Sequence, residues 1–222
     1  MSETLSVLAA RSTSTISDAL DIAGLAGAVF GLRRMSGSAV VVGPAFTVMF
    51  EPVAEGRPAA AADYIEDVPA GSVVVLANEG RAVTVWGDIL TSVALANGIA
   101  GTVIDGYCRD VDGIRELGYS VWARDAFMRT GKNRVRMRAV QVPVVIGDEG
   151  VEVRPGDIVC ADGNGVLRVP SAAADDIAAE VVRIGEMEER VLRDVRAGLS
   201  LRDARLAHGY NRAALRIAAD AR

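Results

Sequence analysis

Two short runs hold the residues with the clearest chemical potential. In Trp86-Gly87-Asp88-Ile89-Leu90 a β-type segment ends, a glycine permits close backbone approach, and a helical pattern begins. The first N–H groups of such a helix have no partner within it and point outward, so they can receive a carboxylate or a phosphate. In Asp105-Gly106-Tyr107-Cys108-Arg109-Asp110 a second strand meets a second helix. Arg109 offers a planar donor fork for a carboxylate, and Asp110 a hard oxygen ligand for a divalent cation. Taken singly, each run also has an ordinary reading: a plain strand-to-helix turn for the first, and a surface ion pair with Asp110 as helix N-cap for the second. Together they say more. Twenty residues lie between Asp88 and Arg109, room for one helix and one strand, and in an α/β unit that returns the chain to the same edge of the sheet. Both junctions then face one pocket.

The rare residues narrow the chemistry further. The chain has one histidine, His208, and two cysteines, Cys108 and Cys160. A Ser-His-Asp triad, a Cys-His dyad or a zinc centre would have to be drawn from those three. Carboxylates, arginine, backbone N–H groups and an oxygen-bound metal are what is left. The net charge is −5 and the basic residues are not gathered into an arm, which disfavours non-specific nucleic-acid binding. No stretch approaches a membrane-spanning apolar run, and Met1–Arg11 lacks the basic flank and apolar core of a leader. Two unpaired cysteines suit a reducing compartment, so the expectation is a cytoplasmic protein without a membrane partner.

The elements that must position these junctions follow from periodicity. A length of 222 residues is about one and a half domains' worth, which predicts an α/β core over 1–170 and a helical extension of the same domain over 171–222. Aromatics are 5% against 50% hydrophobic residues, so the core is aliphatic. Thr15-Ile16-Ser17-Asp18 has the form of a capping box that starts a helix running to Ile22. Ser38 to Phe50 is β-branched and interrupted by Gly43-Pro44, which predicts two short strands. Residues 58–67 are alanine-rich and predict a helix. Ser72–Ala77 and Ala82–Trp86, around the turn Asn78-Glu79-Gly80, predict a β-hairpin. A helix from Asp88, with Ile89, Val93 and Ala96 on one face, ends at Gly98; a strand covers Thr102–Ile104; and a helix over Val111–Leu117 closes on Gly118. After Lys132 the texture is all β, with strands at 134–138, 142–146, 151–153, 157–161 and 166–169. Beyond Pro170 the pattern is helical.

At these residues the chain resembles a known family: the class II pyruvate aldolases that cleave 4-hydroxy-4-methyl-2-oxoglutarate and 4-carboxy-4-hydroxy-2-oxoadipate, together with the related regulator of ribonuclease activity A. The family pattern, an acidic residue followed after twenty residues by Arg-Asp, is met by Asp88, Arg109 and Asp110. Around it lie Ser14-Thr15-Ile16-Ser17-Asp18-Ala19-Leu20, Gly43-Pro44-Ala45, Val85-Trp86-Gly87-Asp88, Ile99-Ala100-Gly101, Asp105-Gly106, Arg154-Pro155-Gly156-Asp157 and Ala161-Asp162. The resemblance spans roughly residues 12–200.

It implies a three-layered swivelling α/β domain of the phosphohistidine-domain type, assembled as a homotrimer or homohexamer with sites between subunits. It also implies Mg²⁺ or Mn²⁺ on Asp110, Arg109 on the keto-acid end of the substrate, and the backbone of Gly87, Asp88, Ile89 and Leu90 on its carboxylate. Such a site would release pyruvate by retro-aldol cleavage of 4-hydroxy-2-oxo acids or by decarboxylation of oxaloacetate. The first of these needs a base, for which Asp88 is the nearest carboxylate, and the second does not. Glu188 or Glu189 would answer to the glutamate that the family takes from a neighbouring subunit. Tyr107-Cys108 departs from the small or aliphatic residues usual before Arg-Asp, and burial is the expectation for Cys108. The rival implication is a protein-binding regulator of a ribonuclease without significant lyase activity.

Three other features call for plain readings. Asp162-Gly163-Asn164-Gly165 is a hairpin turn rather than a calcium loop. Arg134, Arg136 and Arg138 share one face of a strand turned to solvent or to another subunit. His208 lies on the surface of the helical tail.

Overall fold

The structure, a computed structural model, describes residues 2–38, 40–54 and 63–210. Two helices open the chain, α1 (Glu3–Ala9) and α2 (Thr13–Ile22), followed by the strands β1 (Ala28–Val29), β2 (Arg33–Ser36), β3 (Val41–Pro52) and β4 (Val73–Ala77). Then come α3 (Asp88–Ala96), β5 (Gly101–Cys108), α4 (Val111–Glu116) and β6 (Val121–Ala126). The all-β stretch gives β7 (Val135–Val140), β8 (Val144–Ile146), β9 (Val151–Val153), β10 (Ile158–Ala161) and β11 (Val166–Val169), and the tail gives α5 (Ala174–Arg196) and α6 (Leu201–Ala207). Of the predicted helix over 58–67, residues 58–62 lie outside the described residues, and Ile65–Asp67 form a single 3₁₀ turn.

The expected mixed α/β architecture is present. Among the described residues nine strands form one sheet in the order β1-β11-β10-β3-β4-β5-β6-β2, with β7 also paired to β3. Neighbours from β3 through β6 run parallel. Alternation along β3 divides the core. Phe46, Val48 and Phe50 join Leu76, Ile104, Ala94 of α3 and Ile114 of α4. Val41 and Ala45 face the other way, toward Val75, Val103 and Trp122, where Val144, Ile146 and Val153 of the β8–β9 hairpin close the layer. A third cluster packs Leu8, Ile16, Leu20, Ile177 and Val181 of α1, α2 and α5 onto Cys160, Leu167 and Val169. Each fully buried aliphatic side chain of this kind contributes about 1.5–3 kcal/mol.

Several local expectations are corrected. Gly43-Pro44 does not split its strand: β3 runs through both, pairing with β10 up to Pro44 and with β4 from Ala45. Pro44 stands one residue before the β4 ladder begins, so its missing N–H breaks none of that ladder's bonds. The Ser72–Trp86 hairpin does not form either. Both edges of β4 are occupied, by β3 and β5, so the segment after Asn78 runs on along the end of β5, the Gly80 N–H donating to the Asp105 carbonyl at 3.1 Å and Thr84 bridging Tyr107. The α3 face is also rotated from the expected one: Thr91 and Ala94 are buried, whereas Ile89 and Ala96 are exposed. Gly98 and Gly118 do end α3 and α4 with positive φ, +68° and +70°, as anticipated, and β5 extends well past the predicted Thr102–Ile104.

Helix α2 starts two residues before the predicted cap. Ser12, not Thr15, is its N-cap, its hydroxyl accepting from the Thr15 N–H. Asp162, in the β10–β11 turn, decides the point. Its carboxylate accepts the Thr13 N–H at 2.9 Å and the Thr13 hydroxyl at 2.7 Å, as well as the Asn164 N–H at 2.7 Å. Burial alone would raise the Asp162 carboxyl, but these donors outweigh it and hold the group below the ordinary aspartate range. Because the folded value is the lower one, this contribution to stability is present above the unfolded-state value of about 3.9 and fades as the pH falls through the folded value. Asp162→Ala, which orphans two buried donors on Thr13, should cost about 3 kcal/mol in urea denaturation at neutral pH. The difference between the variant and the wild type should narrow in acid.

Candidate functional site

Parallel β4 and β5, with α3 between them, bring both junctions to the same edge of the sheet. Two backbone contacts stitch them together. The Arg109 N–H donates to the Trp86 carbonyl at 3.1 Å, and Thr84 bridges Tyr107 and Thr130. Gly87, Asp88, Arg109 and Asp110 therefore meet in one place, as the twenty-residue spacing anticipates.

Gly87 is the N-cap of α3, with extended backbone angles. A Cβ on it would lie 2.5 Å from Asp110 Oδ2 and 3.4 Å from Arg109 Nε, so a glycine here leaves the Asp110 carboxylate room in this position. Asp110 stands at the start of α4 in the left-handed conformation, φ 58° and ψ 34°, a region where aspartate and asparagine are enriched among non-glycine residues. Its carbonyl accepts the Ile114 N–H, while its carboxylate makes no capping bond. That carboxylate is instead turned back toward the first junction. Oδ2 lies 3.2 Å from Arg109 Nε and 3.5 Å from the Asp88 N–H nitrogen. About a third of each side chain, 38% of Arg109 and 35% of Asp110, remains exposed, so both can still meet a ligand.

Asp88 places its own carboxylate Oδ1 on the Ile89 N–H at 2.8 Å. In this conformation that N–H is engaged within the chain, and the Ile89 side chain is 73% exposed. Beneath the turn, the Trp86 indole N–H donates to the Thr91 hydroxyl at 2.9 Å, and that hydroxyl donates to the Gly87 carbonyl at 2.9 Å. The sequence reading missed Thr91. An indole five residues ahead of a threonine is a weak signal, and the contact needs the turn at Gly87 to exist.

The oxygen donors at the two junctions are the carboxylates of Asp88 and Asp110, a set that holds a divalent cation only where water and substrate oxygens complete it. Among the described residues, no group of three His, Cys, Asp or Glu side chains is placed to hold a metal. Asp110 would then be the protein's principal ligand, the remaining positions falling to water and substrate oxygens, the mode magnesium favours.

The other candidates stand elsewhere. Asp105 is 3% exposed and accepts Arg124 Nε at 2.7 Å, and Arg124 also pairs with Asp148, so it is the buried end of an ion network that reaches the surface. Cys108 is fully buried, and burial pushes its thiol up to about 11. Tyr107 packs edge-on to Phe127. Glu189 pairs with Arg11 at 2.6 Å, and Glu188 lies 3.5 Å from the Thr15 hydroxyl, so both are engaged within their own chain. His208 is less exposed than expected, its Nε2 lying 2.7 Å from Asp194. Arg136 and Arg138 both face Glu51 on the neighbouring strand.

A family model for RraA-like proteins, described as Aldolase/RraA, matches residues 13–168. Protein DlpA of Legionella pneumophila is 39% identical over 201 residues, covering 89% of this chain but 32% of DlpA. The chain thus spans about a third of that relative's length. A Halalkalibacterium halodurans protein provisionally named a 4-hydroxy-4-methyl-2-oxoglutarate aldolase is 30% identical over 186 residues, covering 82% of this chain and 85% of the relative. The crystal structure of Streptomyces coelicolor RraAS2, described as an unusual member of the RNase ES inhibitor RraA protein family, superposes with a TM-score of 0.76 at 30% identity, covering 85% of this chain and 95% of that one.

Proposed function

Since the chain belongs to the RraA-like, Aldolase/RraA family, we propose that it is a divalent-metal-dependent carbon–carbon lyase that releases pyruvate from small acidic 2-oxo acids. The observation that carries this reading is the convergence of Arg109, the Asp110 carboxylate paired with it and the start of α3 at Gly87, packed so closely that an added methyl group would meet that carboxylate. Asp110 would hold Mg²⁺ or Mn²⁺, which when bound supplies Lewis-acid polarisation of the substrate's keto oxygen. The guanidinium of Arg109 binds the keto-acid end and stands where negative charge gathers as the C3–C4 bond breaks. The backbone from Gly87 to Leu90 receives the carboxylate at the helix start, its Ile89 N–H becoming available once Asp88 turns away. Asp88, freed by that turn, takes the C4 hydroxyl proton in aldol cleavage. Loss of CO₂ from oxaloacetate asks for no such base.

A homotrimer or homohexamer with sites between subunits is part of the proposal. Its support is two exposed apolar residues near the junctions, Ile89 at 73% and Met128 at 78%, the latter following Phe127, whose N–H bonds the Cys108 carbonyl. Among the described residues no helix is long and apolar enough to cross a membrane, and buried, unpaired Cys108 and Cys160 suit a reducing cytoplasm.

The test is a coupled pyruvate-release assay over a panel of oxaloacetate and 4-hydroxy-2-oxo acids, with and without Mg²⁺ or Mn²⁺. Turnover that depends on the metal and drops about a hundredfold or more in Arg109→Ala is the expected outcome. Folded, metal-loaded protein that releases no pyruvate from any of them would sink the reading. The likeness to RraAS2 favours one second reading, a protein-binding regulator of a ribonuclease. Stoichiometric capture of such an enzyme alongside negligible lyase turnover would establish it instead.

A further inference from the structure

We propose that Thr91 and Trp86 are positioning residues for this site, setting the direction of the backbone N–H groups that α3 presents beside Arg109 and Asp110. The inference rests on the reading of the site as one that takes an acidic 2-oxo acid.

A trans peptide unit is planar, and its C=O and N–H point in opposite directions. Whatever fixes the Gly87 carbonyl therefore fixes the Asp88 N–H. That carbonyl accepts two donors, the Thr91 N–H at 3.1 Å and the Thr91 hydroxyl at 2.9 Å. The Asp88 N–H is thereby aimed the other way, where Asp110 Oδ2 lies. The preceding peptide is held in the same manner, since the Trp86 carbonyl accepts the Arg109 N–H at 3.1 Å.

Back-bonding of a threonine hydroxyl to the carbonyl four residues earlier is common and by itself mildly unfavourable to a helix. Here the hydroxyl is locked. Having given its proton to Gly87, it accepts the Trp86 indole N–H at 2.9 Å. Thr91 is fully buried and Trp86 is 2% exposed, so no water competes for these bonds. Trp86 is itself stacked on Tyr119, centroids 6.1 Å apart and planes 14° from parallel, and the Tyr119 hydroxyl lies 3.0 Å from that of Thr102 on β5. A chain of buried contacts thus runs from the sheet to the peptide that opens the helix. The fold needs only the Thr91 N–H to close the first helical turn. The hydroxyl and the indole fix the angle at which that turn meets the pocket.

The experiment compares Thr91→Val, which removes both hydroxyl bonds at constant shape, with Thr91→Ser, which retains them, and with Trp86→Phe, which removes only the indole donor. Binding of oxalate, a planar dianion shaped like the enolate of pyruvate, is measured by calorimetry with Mg²⁺ or Mn²⁺ present. The kcat and KM for pyruvate release and the indole N–H resonance of Trp86 are followed in parallel. Thr91→Val should weaken oxalate binding and raise KM about tenfold, the effect of one misdirected hydrogen bond, with a smaller change in kcat. Thr91→Ser should restore most of the wild-type behaviour, including the indole resonance. A folded Thr91→Val, or a folded Trp86→Phe should Thr91→Val fail to fold, that binds oxalate like the wild type overturns the proposal. So does a wild-type protein that binds no oxalate. A wild-type protein that binds oxalate but releases no pyruvate sinks the lyase reading, and the proposal then stands if Thr91→Val weakens that binding.

Discussion

Asp110→Asn is expected to lower pyruvate release about 1,000-fold while moving the thermal midpoint by no more than about 2–4 °C. The choice of asparagine matters. Asp110 sits at φ 58°, a conformation asparagine adopts readily and alanine does not, so asparagine removes the charge without adding backbone strain. The stability term should be small because the carboxylate caps nothing in α4. Its ion pair with Arg109 is also more than a third exposed on both sides, and such pairs contribute at most about 1 kcal/mol. What the substitution does remove is the anionic oxygen that the proposed metal would need and that stands 3.2 Å from Arg109 Nε. Steady-state rates at saturating metal, with a thermal melt on the same sample, separate the two effects. Turnover within tenfold of the wild type would leave Asp110 without the role assigned to it.

The two junctions could be read from sequence because their signals are local. A glycine, an acidic residue and a helical pattern mark each helix start, and Gly98 and Gly118 mark the ends. The twenty-residue interval did the rest, since a strand and a helix of ordinary length fill it. Pairing partners are not local, and there the reading failed. Val73–Ala77 looks the same in a hairpin as in the middle of a parallel sheet, and only the neighbours β3 and β5 decide the matter. The start of α2 is a sharper case. Ser12-Thr13-Ser14-Thr15 offers four side chains able to cap, and the choice is made by Asp162, which lies 149 positions away and claims Thr13. Ile89 fits the apolar face by periodicity alone, yet it is exposed at the mouth of the site.

Gly87→Ala should reduce kcat/KM about 100-fold or more, with little loss of stability. The usual cost of replacing a glycine does not arise, because Gly87 has φ −162° and ψ −167°, extended backbone that alanine adopts freely. The conflict is with the second junction. An added methyl carbon would lie 2.5 Å from Asp110 Oδ2, well inside contact distance, and one of the two must give way. The backbone on both sides is tied, by Arg109 N–H to Trp86 carbonyl and by Thr91 to Gly87. The carboxylate is the movable party, and with 35% of its side chain exposed it can swing into solvent at small energetic cost. Folding therefore tolerates the change, whereas the site loses the one arrangement in which Asp110, Arg109 and the start of α3 converge; displacements of about 1 Å at a reacting centre cost on the order of 100-fold. Gly113→Ala supplies the control. Its added carbon would meet Asp88 Cβ at 3.8 Å, an ordinary contact, and alanine inside α4 should stabilise the helix by up to about 1 kcal/mol. Parallel loss of oxalate binding and turnover in Gly87→Ala, with both retained in Gly113→Ala, would attribute the effect to the carboxylate's position rather than to crowding between the helices in general. A Gly87→Ala enzyme within threefold of the wild type would mean that Asp110 works from a different rotamer, and that the close approach at Gly87 is a matter of packing alone.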